Sequence, residues 1–159
     1  MQVSELMVAD VVTIGRNDDL RLVDDIMAER HIRHIPVVED DMVVGVVTQR
    51  DVFKARMSST MGYGEKGQRA FLNSILVKEV MTSPVTTIAP DALVTEAADL
   101  IITQGIGCLP VVQDGRLVGI ITKTNLLQRL RTLSAMESEQ AGNSDKPRGD
   151  RGLPNVIPY

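Results

Sequence analysis

Two stretches of this chain end an apolar run on a threonine and place an oxygen-bearing side chain three residues later. They are Gly45-Val46-Val47-Thr48-Gln49-Arg50-Asp51 and Gly119-Ile120-Ile121-Thr122-Lys123-Thr124-Asn125. A Thr-x-x-Asp opening a helix is a capping box, whose hydroxyl and carboxylate satisfy N–H groups that have no partner inside the helix. The same atoms suit a ligand. A hydroxyl and free N–H groups at a helix N-terminus can hold a phosphate, and a carboxylate, which only accepts, can take both hydrogen bonds of a ribose diol. Asn125 brings one acceptor oxygen and an amide that needs an acceptor of its own, so the second stretch is the weaker diol ligand.

Other residue types with chemical potential are few. Arg33 and His34 bring two cationic side chains to a helix-to-strand corner, where they serve either as solvated surface or as partners for an anion. His31 and His34 lack a third ligand for a metal. Cys108, the one cysteine, can form neither an internal disulfide nor a zinc site by itself and is expected as a small buried residue. Gly62-Tyr63-Gly64-Glu65-Lys66-Gly67 spells G-x-G-x-x-G, but it follows a predicted helix and has no βαβ context, so it reads as flexible linker. Arg148-Gly149-Asp150 spells an adhesion tripeptide in a polar tail and is taken as chance.

The elements that position these residues come from an internal repeat. Val3–Lys54 aligns with Val77–Gln128 without a gap, at 15 identities in 52 positions, which is too regular for coincidence. Met7/Met81, Thr13/Thr87, Pro36/Pro110, Gly45/Gly119 and Thr48/Thr122 are among the identical pairs. Each copy opens with a Met-containing segment and a short β-rich piece, Val11–Ile14 or Val85–Ile88. Each continues into a helix with apolar residues at helical spacing, Leu20, Val23, Met27 and Val94, Ala97, Ile101. Asn17 and Asp91 are the expected N-caps. Ile35–Val38 and Leu109–Val112 read as strands with an early proline. Asp40-Asp41 and Asp114-Gly115 read as hairpin turns, and Met42–Val47 and Leu117–Ile121 as central strands apolar on both faces. A second helix follows each threonine, to about Met57 and past Leu133, the latter with a Leu126, Leu130, Leu133 stripe.

The expected fold class is therefore α+β, with two β-α-β-β-α repeats. Residues 1–57 form the first repeat, 58–76 a linker with Ala70-Phe71-Leu72 as its apolar anchor, and 77–134 the second repeat. Residues 135–159 form a mobile tail that touches down at Val156-Ile157, since its Gly, Pro and charge content buries too little surface to offset ordering.

The ungapped repeat, the Leu/Ile-Pro-Val-Val strand and the Gly-φ-φ-Thr-x-x-Asp ending, taken together, resemble a tandem pair of CBS domains, the arrangement called a Bateman module. The resemblance runs from Val3 to about Leu130. It implies two pseudo-symmetric halves packed sheet to sheet, with two clefts at their interface for adenosyl ligands: AMP, ADP, ATP or S-adenosylmethionine. Carried over by motif position, the first cleft uses Asp51 for the ribose, Thr48 with adjacent N–H groups for phosphate, and Arg33 and His34 for phosphate charge. Thr82, Thr86 and Ile106 approach the adenine from the other half. The second cleft uses Thr122, Asn125, Gly107 and Cys108, with Val8, Val12 and Ile32 from the first half. It departs from the pattern at Asn125 and at Gly107-Cys108, and is the weaker one. The resemblance also implies a homodimer and no resident cofactor, Mg2+ entering only with ATP.

Composition narrows the function classes. Seventeen Lys plus Arg against 21 Asp plus Glu give a net charge of -4, with no basic face, so no nucleic-acid partner is expected. No apolar run approaches the roughly 20 residues of a membrane helix, and no charged-then-apolar leader opens the chain. The expected setting is the cytoplasm, without membrane association. No nucleophile-base pair, flanking carboxylates or metal cluster marks an enzyme. What remains is a non-catalytic regulatory module sensing an adenosyl ligand for an unidentified partner protein, or a dimerising scaffold without a physiological ligand.

Overall fold

The computed structural model describes residues 1–58 and 64–144. The residues 1–126 form one compact unit, and those from Leu127 onward belong to a second, described as the continuation of a helix. The strands are β1 (Ile14–Gly15), β2 (His34–Glu39), β3 (Met42–Thr48), β4 (Cys108–Gln113) and β5 (Arg116–Thr122). The helices are α1 (Leu20–Arg30), α2 (Gln49–Ser58), α3 (Glu65–Asn73), α4 (Val77–Val80), α5 (Val94–Gln104) and α6 (Lys123–Ser144), with a 3-10 turn at Val3–Glu5.

Two antiparallel hairpins carry the architecture. In the first, His34 pairs with Thr48 and Glu39 with Met42; in the second, Cys108 pairs with Thr122 and Gln113 with Arg116. Both hairpins slip register between the two valines of the Pro-Val-Val segment, at Val37/Val38 and Val111/Val112. Asp40-Asp41 and Asp114-Gly115 make the turns with positive φ at both residues, the twist that matches antiparallel strands. β1 pairs in parallel with β2. Its counterpart in the second half is reduced to a single bridge, Ile88 to Val111. The next residue but one there is Pro90, which has no N–H to extend a ladder.

The halves trade their opening segments. Val3 donates its N–H to Ala92 at 2.9 Å and Val94 donates to Met1 at 3.1 Å, while Leu20 donates to Ile75 at 3.0 Å and Val77 to Asp18 at 2.8 Å. Each repeat's core accordingly contains the other's first residues. Val77 is buried with Leu20, Val23, Ile35 and Val47, and Val3 with Ala97, Ile101, Leu109 and Ile121. Between the sheets, Val46, Cys108 and Ile120 form a third cluster with Val11 and Val85. Glycines admit the exchange. A Cβ on Gly45 would lie 3.0 Å from Met81 Cγ, and one on Gly119 3.0 Å from Met7 Cγ, so a larger residue at either place would expel the incoming methionine.

Three sequence expectations are corrected. α1 is capped not by Asn17 but by Asp19, whose carboxylate accepts the Leu22 N–H at 2.9 Å, and α5 begins after Leu93 without a side-chain cap, not at Asp91. The β-rich pieces contribute far less strand than their composition suggests: only their last residues, Ile14 and Ile88, pair with a neighbouring strand, while Val11 and Val85 pack on the Val46, Cys108 and Ile120 cluster. The 58–76 segment is more than a linker: α3 packs on α1 and α2, and Leu72, 1% exposed, is part of the first core. The helix expected to run past Leu133 extends to Ser144. Val156-Ile157, the RGD sequence and the start of the Gly-x-Gly stretch lie outside the described residues.

Candidate functional site

At the end of β3 the backbone turns into α2 through a reciprocal cap. The Thr48 N–H and Oγ1 hydroxyl each donate to Asp51 Oδ2 at 2.8 Å, and the Asp51 N–H returns a bond to Thr48 Oγ1 at 3.3 Å. The second half repeats this geometry: Asn125 Oδ1 accepts from the Thr122 N–H at 2.9 Å and from its hydroxyl at 2.8 Å, and the Asn125 N–H donates to Thr122 Oγ1 at 3.3 Å. Both threonine partners are donors, which fixes the amide with oxygen inward. The remaining atom of each side chain then differs in kind. Asp51 presents a second carboxylate oxygen with two lone pairs; Asn125 presents an NH2 that only donates. One oxygen of Asp51 is committed to the cap. The other can still accept two hydroxyls.

The segment exchange sets two of the remaining predicted residues, Thr82 and Val8, beside the strands that end in these caps. Thr82 is hydrogen-bonded through its backbone to Val46, at 2.9 and 3.1 Å, two residues before Thr48. Val8 stands in the same relation to Ile120, at 2.9 Å in both directions, two residues before Thr122. Thr86 is partly buried and donates its hydroxyl to Gln104 Oε1 at 2.6 Å. Val12 is half-buried on the segment that follows Val8. Ile106 and Ile32 are half-buried against the second and first cores, respectively. Cys108, 6% exposed, sits in the cluster between the sheets, where burial pushes its thiol up to about 12. It is a neutral packing group there, and its backbone is what it can offer a ligand.

Arg33 and His34 do not behave as a pair. Arg33 is exposed, whereas His34 is half-buried and its imidazole lies against Gly107 of the other half: a Cβ there would come within 3.0 Å of His34 Cε1. Burial, the neighbouring Arg33 and the Lys123 ammonium hold its basicity below the ordinary 6.5, while Asp51 pulls the other way. Lys123 is the residue the sequence reading missed. It follows Thr122 where the first copy has the neutral Gln49, and its N–H donates to the Gly107 carbonyl at 3.1 Å. That difference between copies was the signal available.

Two cavities are formed by other residues. One, of about 410 Å³, is lined by Ala9, Asp10, Val11, Thr13, Val38, Asp41, Arg116 and Leu117. The other, of about 220 Å³, lies among charged residues of α1, α2 and α3. Neither reaches the two caps. Among the described residues no helix is long and apolar enough to cross a membrane.

Comparison with known proteins agrees with the repeat. The sequence model of the CBS domain matches twice, over residues 3–58 and 77–132. A protein in the ribosomal RNA operon of Thermofilum pendens is 30% identical over 138 residues, covering 86% of this chain and 46% of that protein. The chain thus spans about half the length of that relative. A Vibrio cholerae structure named for acetoin utilization (AcuB) superposes with a TM-score of 0.71 at 31% identity, over 87% of this chain and 96% of that one. The CBS domain pair of protein MJ0100, in complex with 5-methylthioadenosine and S-adenosyl-L-methionine, superposes with a TM-score of 0.71 at 25% identity, over 83% and 97% of the two chains.

Proposed function

Since this chain belongs to the CBS-domain family and carries two copies of the domain in tandem, we propose that it is a non-catalytic regulatory module whose clefts sense an adenosyl ligand, one of AMP, ADP, ATP or S-adenosylmethionine. The observation that carries this reading is the uncommitted carboxylate oxygen of Asp51, held by the Thr48 cap beside the exchanged Thr82 segment. A carboxylate that has spent one oxygen on a cap is fixed in place before a ligand arrives, which lowers the ordering cost of binding. Residues 1–57 and 77–134 are assigned as the two sensing domains, with 58–76 joining them and 135–159 following. A relative of the same fold that holds two adenosyl compounds supports the ligand class. The module needs no resident cofactor, and Mg2+ enters only with ATP.

The first cleft is Thr48, Asp51, Arg33, His34, Thr82, Thr86 and Ile106, with Asp51 taking the ribose. The second, around Thr122 and Asn125, is the weaker for a diol because it offers a donor where Asp51 offers an acceptor. A thermal-shift panel across the four ligands tests the proposal. A ligand that binds only the folded state adds about 2.7 kcal/mol at a hundredfold excess over its dissociation constant. No shift with any adenosyl compound at millimolar concentration would favour a second reading, a dimerising scaffold. That reading draws on the exposed apolar side chains of the helices, Phe53 at 61% and Ile102 at 74%.

A further inference from the structure

The cavity of about 410 Å³ lies at the opening of β3 and β5, the strands whose far ends carry the two caps. Both halves line it. Asp10 and Asp41 come from the first, and Arg116 from the second. Among the described residues these three charged side chains make no ion pair with one another or with a neighbour.

The internal repeat supplies a control for this cluster. At the uncharged walls, positions 74 apart hold the same residue: Val11 and Val85, Thr13 and Thr87, Val38 and Val112. The copies part at the charges. Asp10, Asp41 and Arg116 correspond to Pro84, Gly115 and Met42, so neither the hairpins nor the segment running past them requires a charge at these places. Asp41 also keeps its carboxylate on a left-handed backbone, φ 64°, which Gly115 adopts at φ 80° with no side chain to hinder it.

We propose that this cavity is a second ligand site, distinct from the adenosyl clefts, that binds a small basic amino acid through its carboxylate on Arg116 and its two cationic groups on Asp10 and Asp41.

The donor and acceptor inventory dictates this class. A guanidinium matches a carboxylate with two parallel N–H bonds, and a carboxylate, which only accepts, matches an ammonium, which only donates. Two acids and one arginine leave the site one negative charge in excess, which a guest with two cations and one anion neutralises. Val11, Val38 and Leu117 give apolar surface to the methylene stem between the guest's charged ends. The volume lies within the range of small-molecule sites, about 300–1,000 Å³. A nucleotide phosphate, by contrast, would meet two carboxylates for one guanidinium and be repelled.

The test is NMR titration of the backbone amides of the wild-type chain with L-lysine, L-leucine and cadaverine, the last having both amines of lysine and no carboxylate. L-lysine should give saturable shifts at Asp10, Asp41 and Arg116, and should bind more tightly than either of the others. Arg116→Gln should weaken L-lysine by about tenfold, the worth of one charge-assisted contact, and leave cadaverine unchanged. Asp10→Asn and Asp41→Gly should each weaken both amines. All three side chains are exposed, so these variants leave the cores intact. L-lysine binding that persists in Asp51→Ala would support a site separate from the ribose carboxylate. Absence of saturable shifts with L-lysine at tens of millimolar would overturn the proposal, as would shifts confined to Thr48 and Asp51, or cadaverine binding as tightly as L-lysine. None of these outcomes depends on whether an adenosyl compound binds.

Discussion

A carboxylate and an amide can make the same helix cap and still present opposite faces to a visitor. Asp51 and Asn125 do so, with matching bonds to Thr48 and Thr122. Asn125→Asp should therefore leave the α6 cap intact while restoring an outward acceptor. His34 gives a second residue-level expectation. Its basicity is held below 6.5 by burial and by Arg33 and Lys123, so the unfolded chain binds more protons than the folded one just below that value. Stability from this source is complete above about pH 6.5 and is lost as pH falls towards the lower folded value. The fall in Tm between pH 7.5 and 5.5 should be smaller for His34→Asn than for wild type; equal slopes would show that the ring is as free as in the unfolded chain. His31, in the left-handed conformation at φ 54°, occupies the position held by Gly105 in the second half, at φ 65°. Replacing it with glycine relieves a cost of about 1–2 kcal/mol, partly offset by the greater entropy of the unfolded chain. A higher denaturation midpoint for His31→Gly is expected.

At the level of elements, the helices and hairpins were readable because their signals are local. Leu20, Val23 and Met27 repeat at helical spacing and are all buried, and Asp114-Gly115 forms the turn its residues demand. The caps themselves were also legible, as Thr-x-x-Asp and Thr-x-x-Asn. The segment exchange was not: Val3 and Val77 look alike in sequence, and nothing local says which core each will enter. Lys123 escaped notice for a related reason, since its meaning depends on His34, 89 positions away in the chain. α3 was hidden by composition, its Gly67 and charged residues reading as linker while one side chain, Leu72, anchors it. Leu72→Ala should cost about 2–5 kcal/mol, as deletion of a fully buried leucine does. Arg69→Ala, which removes an exposed ion pair with Asp25 at 3.5 Å, should cost under about 1 kcal/mol. Denaturant melts of the two variants separate the contributions, and similar losses would mean that α3 is held by charge.

For the whole molecule, α2 and α5 leave Phe53, Met57 and Ile102 more than half exposed. Apolar side chains in such number on helices suit an interface, and we expect a homodimer. Light scattering at tens of micromolar should return twice the chain mass, and Ile102→Asp should shift it towards the monomer. The most direct test of the sensing function is calorimetric titration of AMP into wild type, Asp51→Ala, Asn125→Ala and Asn125→Asp. Loss of the charge-assisted ribose contact, about 1.5–3 kcal/mol, should weaken Asp51→Ala by about tenfold to a hundredfold. Asn125→Ala should leave the dominant event unchanged, and Asn125→Asp should raise the stoichiometry above that of wild type. Binding that survives Asp51→Ala and is abolished by Asn125→Ala would contradict the assignment and return Thr48 and Asp51 to the role of a helix cap alone.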